Sequence, residues 1–413
     1  MMGVVASLFS RFFSMISPFL RLALVLGLLS AIGPFAIDMY LPALPAIGNT
    51  LVADVGAVQM SLTAFFAAVS VSQLVYGPAS DLFGRKKPLY FGMALFTLAS
   101  IGCALAPNIG TLVAFRFVQG LGAGAAMTVP RAVVRDVHTG NDAARLMSLL
   151  MLVFSVSPIL APLVGSFVVE AFGWRGIFWF VTGAGVAGLA LLAFVLQETR
   201  PPAERAGSTW RGSLSAYGQL MRDRHFLGLT FIGAFGLASF FVYLANSSFV
   251  MINHYGLSPR EYSFAFSINA VSFIGVSQLT GWFAKRFGLR RTVRGAVLGF
   301  TVTMTLLLVL FTAGVDRFDV LAGLLFVGFG FLGLVIPATS VLALEDHGDI
   351  AGVASALMGT LQLVTGAVVM GFTGLFLDGT AFPMVAGITL CAVMSMAFTQ
   401  ATLGAPGRTA AAF

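Results

Sequence analysis

After its second long apolar run the chain reads Gly77-Pro-Ala-Ser-Asp81-Leu-Phe83-Gly84-Arg85-Lys86-Lys87, a glycine-rich basic turn. A weaker copy, Gly281-Trp-Phe-Ala-Lys285-Arg-Phe287-Gly288-Leu-Arg290-Arg291, follows the eighth such run. The glycines, the phenylalanine and the last two cations recur at equal spacing, whereas Lys285 stands where the first copy has Asp81. The repeat predicts two related halves, each with this turn after its second helix.

The composition indicates that most of the outer surface lies in lipid. Of the 413 residues, 58% are hydrophobic and only 9% are charged, whereas a soluble domain has about 25% charged residues. The two cysteines, Cys103 and Cys391, lie within apolar runs and have neither a metal-binding spacing nor the pattern of a disulfide framework. We therefore expect an integral membrane protein without a metal site.

Twelve apolar runs are long enough to cross a bilayer, which requires about 20 residues per helix. They centre near Ile32, Val69, Phe96, Gly122, Ser157, Gly185, Ala238, Phe273, Thr305, Phe329, Thr365 and Met394. A misread short break would make the number eleven or thirteen. The predicted fold is an all-α integral membrane protein, with twelve transmembrane helices in two pseudo-symmetric six-helix bundles. We expect residues 1–17 to form a short helix on the inner face of the membrane.

A polar stretch divides the twelve runs into two sets of six. It extends from Glu198 to His225 and contains two prolines and five arginines. We predict an N-terminal bundle of residues 1–197, a cytoplasmic linker of residues 198–225 and a C-terminal bundle of residues 226–413.

The basic residues predict the orientation. If the N-terminus is cytoplasmic, only Arg175, Arg260 and Arg317 of the 23 lysines and arginines fall in outer segments, and Arg116 falls within a span. Cytoplasmic loops are enriched in Lys and Arg, so both termini are predicted to lie in the cytoplasm. This bias accounts for the net charge of +7 without a nucleic-acid partner.

Two ionisable residues are predicted to lie inside the membrane at the same depth. Asp38 is the only acid in the first span and Arg116 lies in the fourth, each in the outer half of its helix. Charges at membrane depth are costly and commonly mark a transport pathway. Burial favours a neutral carboxyl, whereas a nearby guanidinium favours the carboxylate, so this pair is predicted to take up and release a proton. The alternative is a static buried ion pair.

The quoted turn resembles the signature loop between the second and third helices of the major facilitator superfamily, and the resemblance covers the whole chain. It implies a conformational lock made by Gly77, Asp81, Gly84 and Arg85, with Asp136 at the inner end of the fourth helix. The glycines would allow close helix contact and a tight turn, and Asp81 would accept backbone N–H groups at a helix N-terminus. A basic loop that only sets topology is the alternative.

Within this superfamily the sequence is most similar to the bicyclomycin and chloramphenicol resistance (Bcr/CflA) drug:proton antiporters. The similarity lies in the segment around Asp38, in the turn quoted above, and in Arg116-Phe-Val-Gln-Gly-Leu-Gly-Ala-Gly124. It also lies in the fifth span, where Pro158, Pro162 and Gly165 resemble an antiporter motif that here lacks both end glycines. The resemblance implies a drug site at Ile37, Asp38, Leu62, Phe241 and Asn246, and Tyr243 is a further polar candidate for the cavity.

The predicted function is proton-coupled export of small amphipathic antibiotics across the bacterial inner membrane. The expected protein is a monomer without cofactors, with the drug, protons and lipid as its partners. A proton-coupled importer or exporter of a sugar or other small metabolite would use the same fold. A membrane-embedded enzyme is disfavoured because no nucleophile with an orienting base appears, and a sensor is disfavoured because Asp38 and Arg116 would be costly without a role.

Overall fold

The computed structural model describes residues 17–138, 140–205, 210–347, 350–376 and 378–404. Within these ranges all regular structure is helical, and twelve segments are long and apolar enough to cross a membrane. The prediction of twelve spans is therefore confirmed for the described part of the chain, and eleven or thirteen is wrong. The surface helix predicted for residues 1–17 lies almost wholly outside the described residues.

The chain divides into two compact units, residues 1–212 and 213–413. The division falls inside the stretch predicted as a linker, whose own bounds stay a prediction. We number the spans in chain order. The first six are Phe19–Leu51, Val55–Phe83, Lys86–Ala104, Ile109–Val137, Arg145–Phe172 and Trp174–Phe194, and the second six are Arg224–His254, Pro259–Phe287, Leu289–Thr312, Phe318–Glu345, Gly352–Gly374 and Phe382–Leu403.

Several spans are built from more than one helical segment. Span 1 consists of the helices Pro18–Asp38 and Leu44–Leu51, joined through a 3₁₀ turn at Leu41–Ala43. Span 7 is the helix Arg224–Ser248 continued by a π-helical stretch at Phe249–His254, and span 8 is Pro259–Ser277 followed by Thr280–Phe287. Span 5 belongs to the longer helix Gly140–Phe172, span 11 to Ala351–Gly374, and an eleven-residue helix, Trp210–Leu220, lies between the two sets of spans.

The break in span 1 comes directly after Asp38. Pro42 and Pro45 each lack a backbone N–H, and a proline in a helix interior removes a hydrogen bond and clashes with the preceding turn. The residues of the break, Met39 to Leu41, are fully buried. Non-helical backbone at membrane depth is tolerated where protein covers it, so the break leaves Asp38 at a helix end enclosed by neighbouring spans.

Glycines bring span 4 against spans 2 and 3. A Cβ built on Gly120 would lie 2.4 Å from the carbonyl oxygen of Phe65 on span 2, and one built on Gly122 would lie 2.5 Å from the carbonyl oxygen of Gly92 on span 3. Small residues at such contacts let helix backbones approach closely where no hydrophobic effect drives them together. This close packing positions Arg116, one turn earlier on span 4, among side chains of three other spans.

Candidate functional site

Asp38 lies at the C-terminal end of the first helix of span 1 and is almost completely enclosed. Its residue surface is 5% exposed. The hydroxyl of Ser157, on span 5, donates a hydrogen bond of 3.0 Å to the Asp38 Oδ2 atom. A buried carboxylate is costly unless it is hydrogen-bonded or paired, and Ser157 supplies one donor to it.

Arg116 is completely buried and lies among aromatic rings. Its guanidinium carbon is 4.6 Å from the ring centre of Tyr40 and 4.2 Å from that of Phe65. Its Nη1 atom donates to Gln119 Oε1 at 2.6 Å and to the Ala36 carbonyl at 3.3 Å, while Nε and Nη2 have no hydrogen-bond partner. Ring faces attract a desolvated guanidinium, so this cage replaces part of the hydration that Arg116 lost.

Among the described residues no ion pair joins Asp38 to Arg116. Arg116 contacts the same segment of span 1, but through the Ala36 carbonyl and the Tyr40 ring on either side of Asp38. The carboxylate is hydrogen-bonded to span 5 instead. The static ion pair considered above is therefore absent from this structure, and the proton role of the two residues stays a prediction.

The predicted lock residues meet around Arg85, which is 3% exposed. Its Nε and Nη2 atoms donate to the two carboxylate oxygens of Asp136 at 2.7 and 2.9 Å, and its Nη1 atom donates to Asp81 Oδ1 at 2.7 Å and to Ser80 Oγ at 2.7 Å. A paired fork of this kind is the strong form of an arginine–carboxylate contact. The turn after span 2 is thereby tied to the C-terminal end of span 4.

Residues that follow span 6 complete this cluster, and the sequence pattern did not identify them. Glu198 accepts the backbone N–H of Arg85 at 2.8 Å and that of Lys86 at 3.3 Å. Thr199 donates to Asp136, and Arg200 donates to Asp81 at 3.1 Å. The role predicted for Asp81, accepting N–H groups at a helix N-terminus, is thus performed by Glu198 at the start of span 3, because Asp81 accepts guanidinium donors.

The two lock glycines have different roles. Gly84 has a φ of 86°, which L-residues with a side chain rarely adopt, and a Cβ there would meet the Glu198 and Arg205 side chains. Outside its own stretch of helix, Gly77 has no heavy atom within 4 Å of the position of an added Cβ. The close helix contact predicted for Gly77 is therefore absent from this structure.

The antiporter-motif residues lie on the helix Gly140–Phe172, which continues through both Pro158 and Pro162. A Cβ built on Gly165 would lie 2.3 Å from the Met39 carbonyl oxygen and 2.8 Å from the Met39 Cα. Gly165 is thus required by the approach of span 5 to the break in span 1. Ser157 lies on the same helix as Gly165 and contacts Asp38. The motif segment therefore packs against both Asp38 and Met39.

The predicted substrate residues are internal. In the first unit Ile37 is 6% exposed and Leu62 is fully buried. In the second unit the Tyr243 hydroxyl accepts a hydrogen bond from Asn269 at 2.9 Å, and Asn246 donates to the Val242 carbonyl at 2.7 Å. Phe241 packs on Gly366. These contacts are structural ones, and a role in substrate binding stays a prediction for each of them.

We expect Arg85→Ala to destabilise the first unit by about 3 kcal/mol, the low end of the cost of breaking a buried ion pair, because Asp136 would be left without its partner. The Asp136 side chain is 12% exposed, whereas that of Asp81 is 43% exposed. Loss of the arginine therefore costs less at Asp81 than at Asp136. The measurement is thermal unfolding of the purified protein in detergent. The control is Arg317→Ala, which removes a pair whose side chains are 69% and 65% exposed and should cost less than about 1 kcal/mol. Equal shifts for the two variants would contradict the prediction.

Acid should release the segment after span 6. Burial acts to raise the pKa of Glu198, but backbone N–H bonds from Arg85, Arg200 and Lys86, with the charge of Arg205, outweigh it and hold this pKa below its usual value. A carboxyl whose pKa is lowered by folding stabilises the folded state at every pH above its unfolded-state pKa of about 4.3. This stabilisation is lost as the pH falls through the folded-state pKa.

Hydrogen exchange at the Arg85 and Lys86 amides measures this release. We expect these amides to exchange faster in Glu198→Gln than in the unmodified protein at pH 7, and the difference to disappear as pH falls through the folded-state pKa of Glu198, which lies below its usual value. The control amide is Ala57, which donates to Asp54 in a different turn and should be unaffected by the substitution. Equal protection of Arg85 and Lys86 in both proteins at pH 7 would refute the role of Glu198.

The spans, the buried carboxylate of Asp38 and the charged turn around Arg85 fit a transporter of the Major Facilitator Superfamily, and the chain belongs to that family. The family's model matches residues 26–370. The protein is thus a multi-pass membrane transporter, with twelve spans in the part of the chain that the structure describes.

Among its relatives, the chain is similar to an uncharacterized MFS-type transporter, YdgK, of Bacillus subtilis, with 38% identity over 92% of this chain and 94% of the relative. It is 29% identical to a bicyclomycin resistance protein homolog of Haemophilus influenzae, over 90% and 94% of the two chains. It is 30% identical to the multidrug resistance protein MdtL of Escherichia coli, over 92% and 94%.

Solved structures support the fold. A D-xylose-proton symporter matches with a TM-score of 0.70 and 18% identity, over 93% of this chain and 97% of that one. The nucleoside transporter NupG matches with a TM-score of 0.71 and 14% identity, over 93% and 99%. At these identities the likeness concerns the fold alone.

Proposed function

We propose that the protein exports small amphipathic antibiotics of the chloramphenicol and bicyclomycin kind across the bacterial inner membrane in exchange for protons. The observation that carries the proposal is the position of Asp38. Among the described residues it is the one acidic residue that is almost completely enclosed. It lies at a helix break, against the span that carries the antiporter motif. Intramembrane acids that face a protein interior are typical of proton relays.

The relatives support the choice of substrate class. One is named as a bicyclomycin resistance protein homolog and another as a multidrug resistance protein, and the chain covers 94% of the length of each. A relative named for multidrug resistance and a buried carboxylate within a span together favour exchange of a drug for a proton. The exchange has a sufficient driving force, since moving one charge across 100 mV supplies about 2.3 kcal/mol, which corresponds to roughly fiftyfold accumulation.

The orientation is part of the proposal. Both termini would lie in the cytoplasm, and so would the cluster of Asp81, Arg85, Asp136 and Glu198. Lys and Arg are enriched in the segments on that side of the proposed arrangement. Reporter fusions at the C-terminus test it: a reporter active only in the cytoplasm should be active there, and one active only in the periplasm should not.

Antibiotic susceptibility of an efflux-deficient bacterium tests the function. We expect expression of the protein to raise the inhibitory concentration of chloramphenicol, bicyclomycin or a relative of either, and to lower the amount of labelled drug in the cells. An uncoupler should restore that amount to the level of cells without the protein. Unchanged susceptibility across both drug classes, together with proton-dependent uptake of a sugar such as D-xylose, would overturn the proposal.

A further inference from the structure

The hydroxyl of Ser157 differs in its partner from several other buried hydroxyls of the first unit. Ser70, Ser100 and Ser166 each donate to a backbone carbonyl three or four residues earlier in their own helix, at 2.7, 2.7 and 2.9 Å. A hydroxyl in a helix has that intrahelical acceptor within reach. Ser157, which is fully buried, donates to the Asp38 carboxylate on another span.

We infer that Ser157 is a positioning residue that holds Asp38 in its ionised form and orients it towards span 5. The inference rests on the proposed proton coupling and deepens it. A hydrogen bond donated to a carboxylate favours the ionised form, whereas a protonated Asp38 accepts the same bond more weakly because its oxygens no longer carry a charge. The Ser157–Asp38 contact therefore responds to the proton that Asp38 binds.

The other titratable groups near Asp38 leave this role to Ser157. Span 4 contributes Arg116, whose hydrogen bonds go to Gln119 and to a backbone carbonyl. Tyr40, which follows Asp38 in span 1, donates to or accepts from Ser61, and Cys103 on span 3 interacts with Arg116 and Tyr40.

The remaining neighbours of span 1 are spans 5 and 6. The charged residues of span 5, Arg145 and Glu170, lie near its two ends. Span 6 faces this region with Phe178, whose ring is 5.5 Å from that of Tyr40. Its basic residue Arg175 donates to the Ala106 carbonyl.

The same contact connects the proton site to the antiporter motif. Ser157 directly precedes Pro158, and proline in a helix interior removes one backbone hydrogen bond and makes a bend easier. Gly165 packs on Met39, the residue after Asp38. Protonation would weaken the Ser157 hydrogen bond, because a neutral carboxyl oxygen is a weaker acceptor than a carboxylate. It would thus loosen one of the two contacts described above between span 5 and the break in span 1, while the Gly165 contact remains.

The experiment measures protonation of Asp38 directly in the full-length protein. Dicyclohexylcarbodiimide, an apolar reagent, modifies protonated carboxyl groups, and mass spectrometry of the peptide that contains Asp38 gives the extent of labelling against pH. Two matched pairs separate the effect of the hydroxyl from that of side-chain shape. The first compares the unmodified protein with Ser157→Ala, and the second compares Ser157→Thr with Ser157→Val, whose side chains have nearly the same shape. We expect both variants without a hydroxyl to shift the labelling midpoint by about one unit toward higher pH, and Thr to keep the original midpoint.

Ser166→Ala is the control on the same helix, because the Ser166 hydroxyl bonds the Leu163 carbonyl and its loss should leave the midpoint unchanged. The second pair keeps the test decisive if Ser157→Ala does not fold. Equal midpoints for Thr and Val, or no labelling of Asp38 at any pH, would overturn the inference. The readout requires no drug, so a protein that shifts its midpoint but exports no antibiotic would refute the proposed function and leave the role of Ser157 intact.

Discussion

Asp38→Asn is expected to abolish proton-driven drug accumulation while leaving a folded transporter. In proteoliposomes with an imposed pH gradient, the unmodified protein should concentrate labelled chloramphenicol, and the variant should only equilibrate it. The physical reason is that asparagine has nearly the shape of protonated Asp38 but cannot release a proton, so no proton can be exchanged for the drug. The whole gradient-driven gain, roughly fiftyfold per charge at 100 mV, should disappear.

Exchange without a gradient separates loss of coupling from loss of binding. Asp38→Asn should still exchange labelled for unlabelled drug across the membrane, because Ser157 can donate to the amide oxygen in place of Oδ2. The control is Asp319→Asn, which has the same change of chemistry at a side chain that is 65% exposed and should accumulate drug normally. Concentrative export by Asp38→Asn with proton movement intact would exclude Asp38 as the coupling residue.

Gly165→Val is expected to have the largest effect on stability. Its Cβ would lie 2.3 Å from a backbone carbonyl oxygen and 2.8 Å from a Cα, both of Met39, and no flexible side chain is available to move aside. Either span 5 or the break in span 1 must shift. Overpacking typically costs about 1–3 kcal/mol, and we expect the upper end or more, seen as a fall of about 6–12 °C in the Tm measured in detergent.

Gly183→Val is the matched control for this substitution. Gly183 lies on span 6, is exposed, and has no heavy atom within 4 Å of an added Cβ. The same side chain is added to a helix of the same unit, so intrinsic helix preference affects both variants alike. A Tm for Gly165→Val within about 2 °C of that for Gly183→Val would show that the contact with Met39 is not tight, and the account of the antiporter motif would fail with it.

Local pattern was sufficient for the outline of the fold. A helix that crosses lipid must form its backbone hydrogen bonds internally and present apolar side chains over about 20 residues. Each span is therefore recognisable from one contiguous stretch of sequence. The pairing of Asp81 with Arg85 came from the family resemblance, because Gly84 ends the helix Val55–Phe83 between them and the spacing rule of a continuous helix does not apply. The lock partner Asp136 came from the family resemblance, since no local pattern connects it to Arg85.

Partners between helices were the part that local pattern could not supply. The side chains around Arg85 include Glu198 and Thr199 from a segment more than a hundred residues later, and only the tertiary structure brings them to that turn. A signal was available: an acid and a threonine directly after the last apolar run of the first set. This pattern did not indicate that Glu198 and Thr199 contact the turn around Arg85, because the same residue types are common at the start of solvated linkers.

The sequence alone predicted about twelve spans, with eleven or thirteen left open, and showed that the glycine-rich basic turn occurs twice, with an aspartate in only one copy. It also predicted that Asp38 and Arg116 lie at similar depths. The tertiary structure decided that they do not pair: Asp38 is held by Ser157, and Arg116 by Gln119 and aromatic rings. Depth follows from counting residues at 1.5 Å each, whereas direction changes by about 100° with every residue and depends on how each helix rotates and where span 1 breaks.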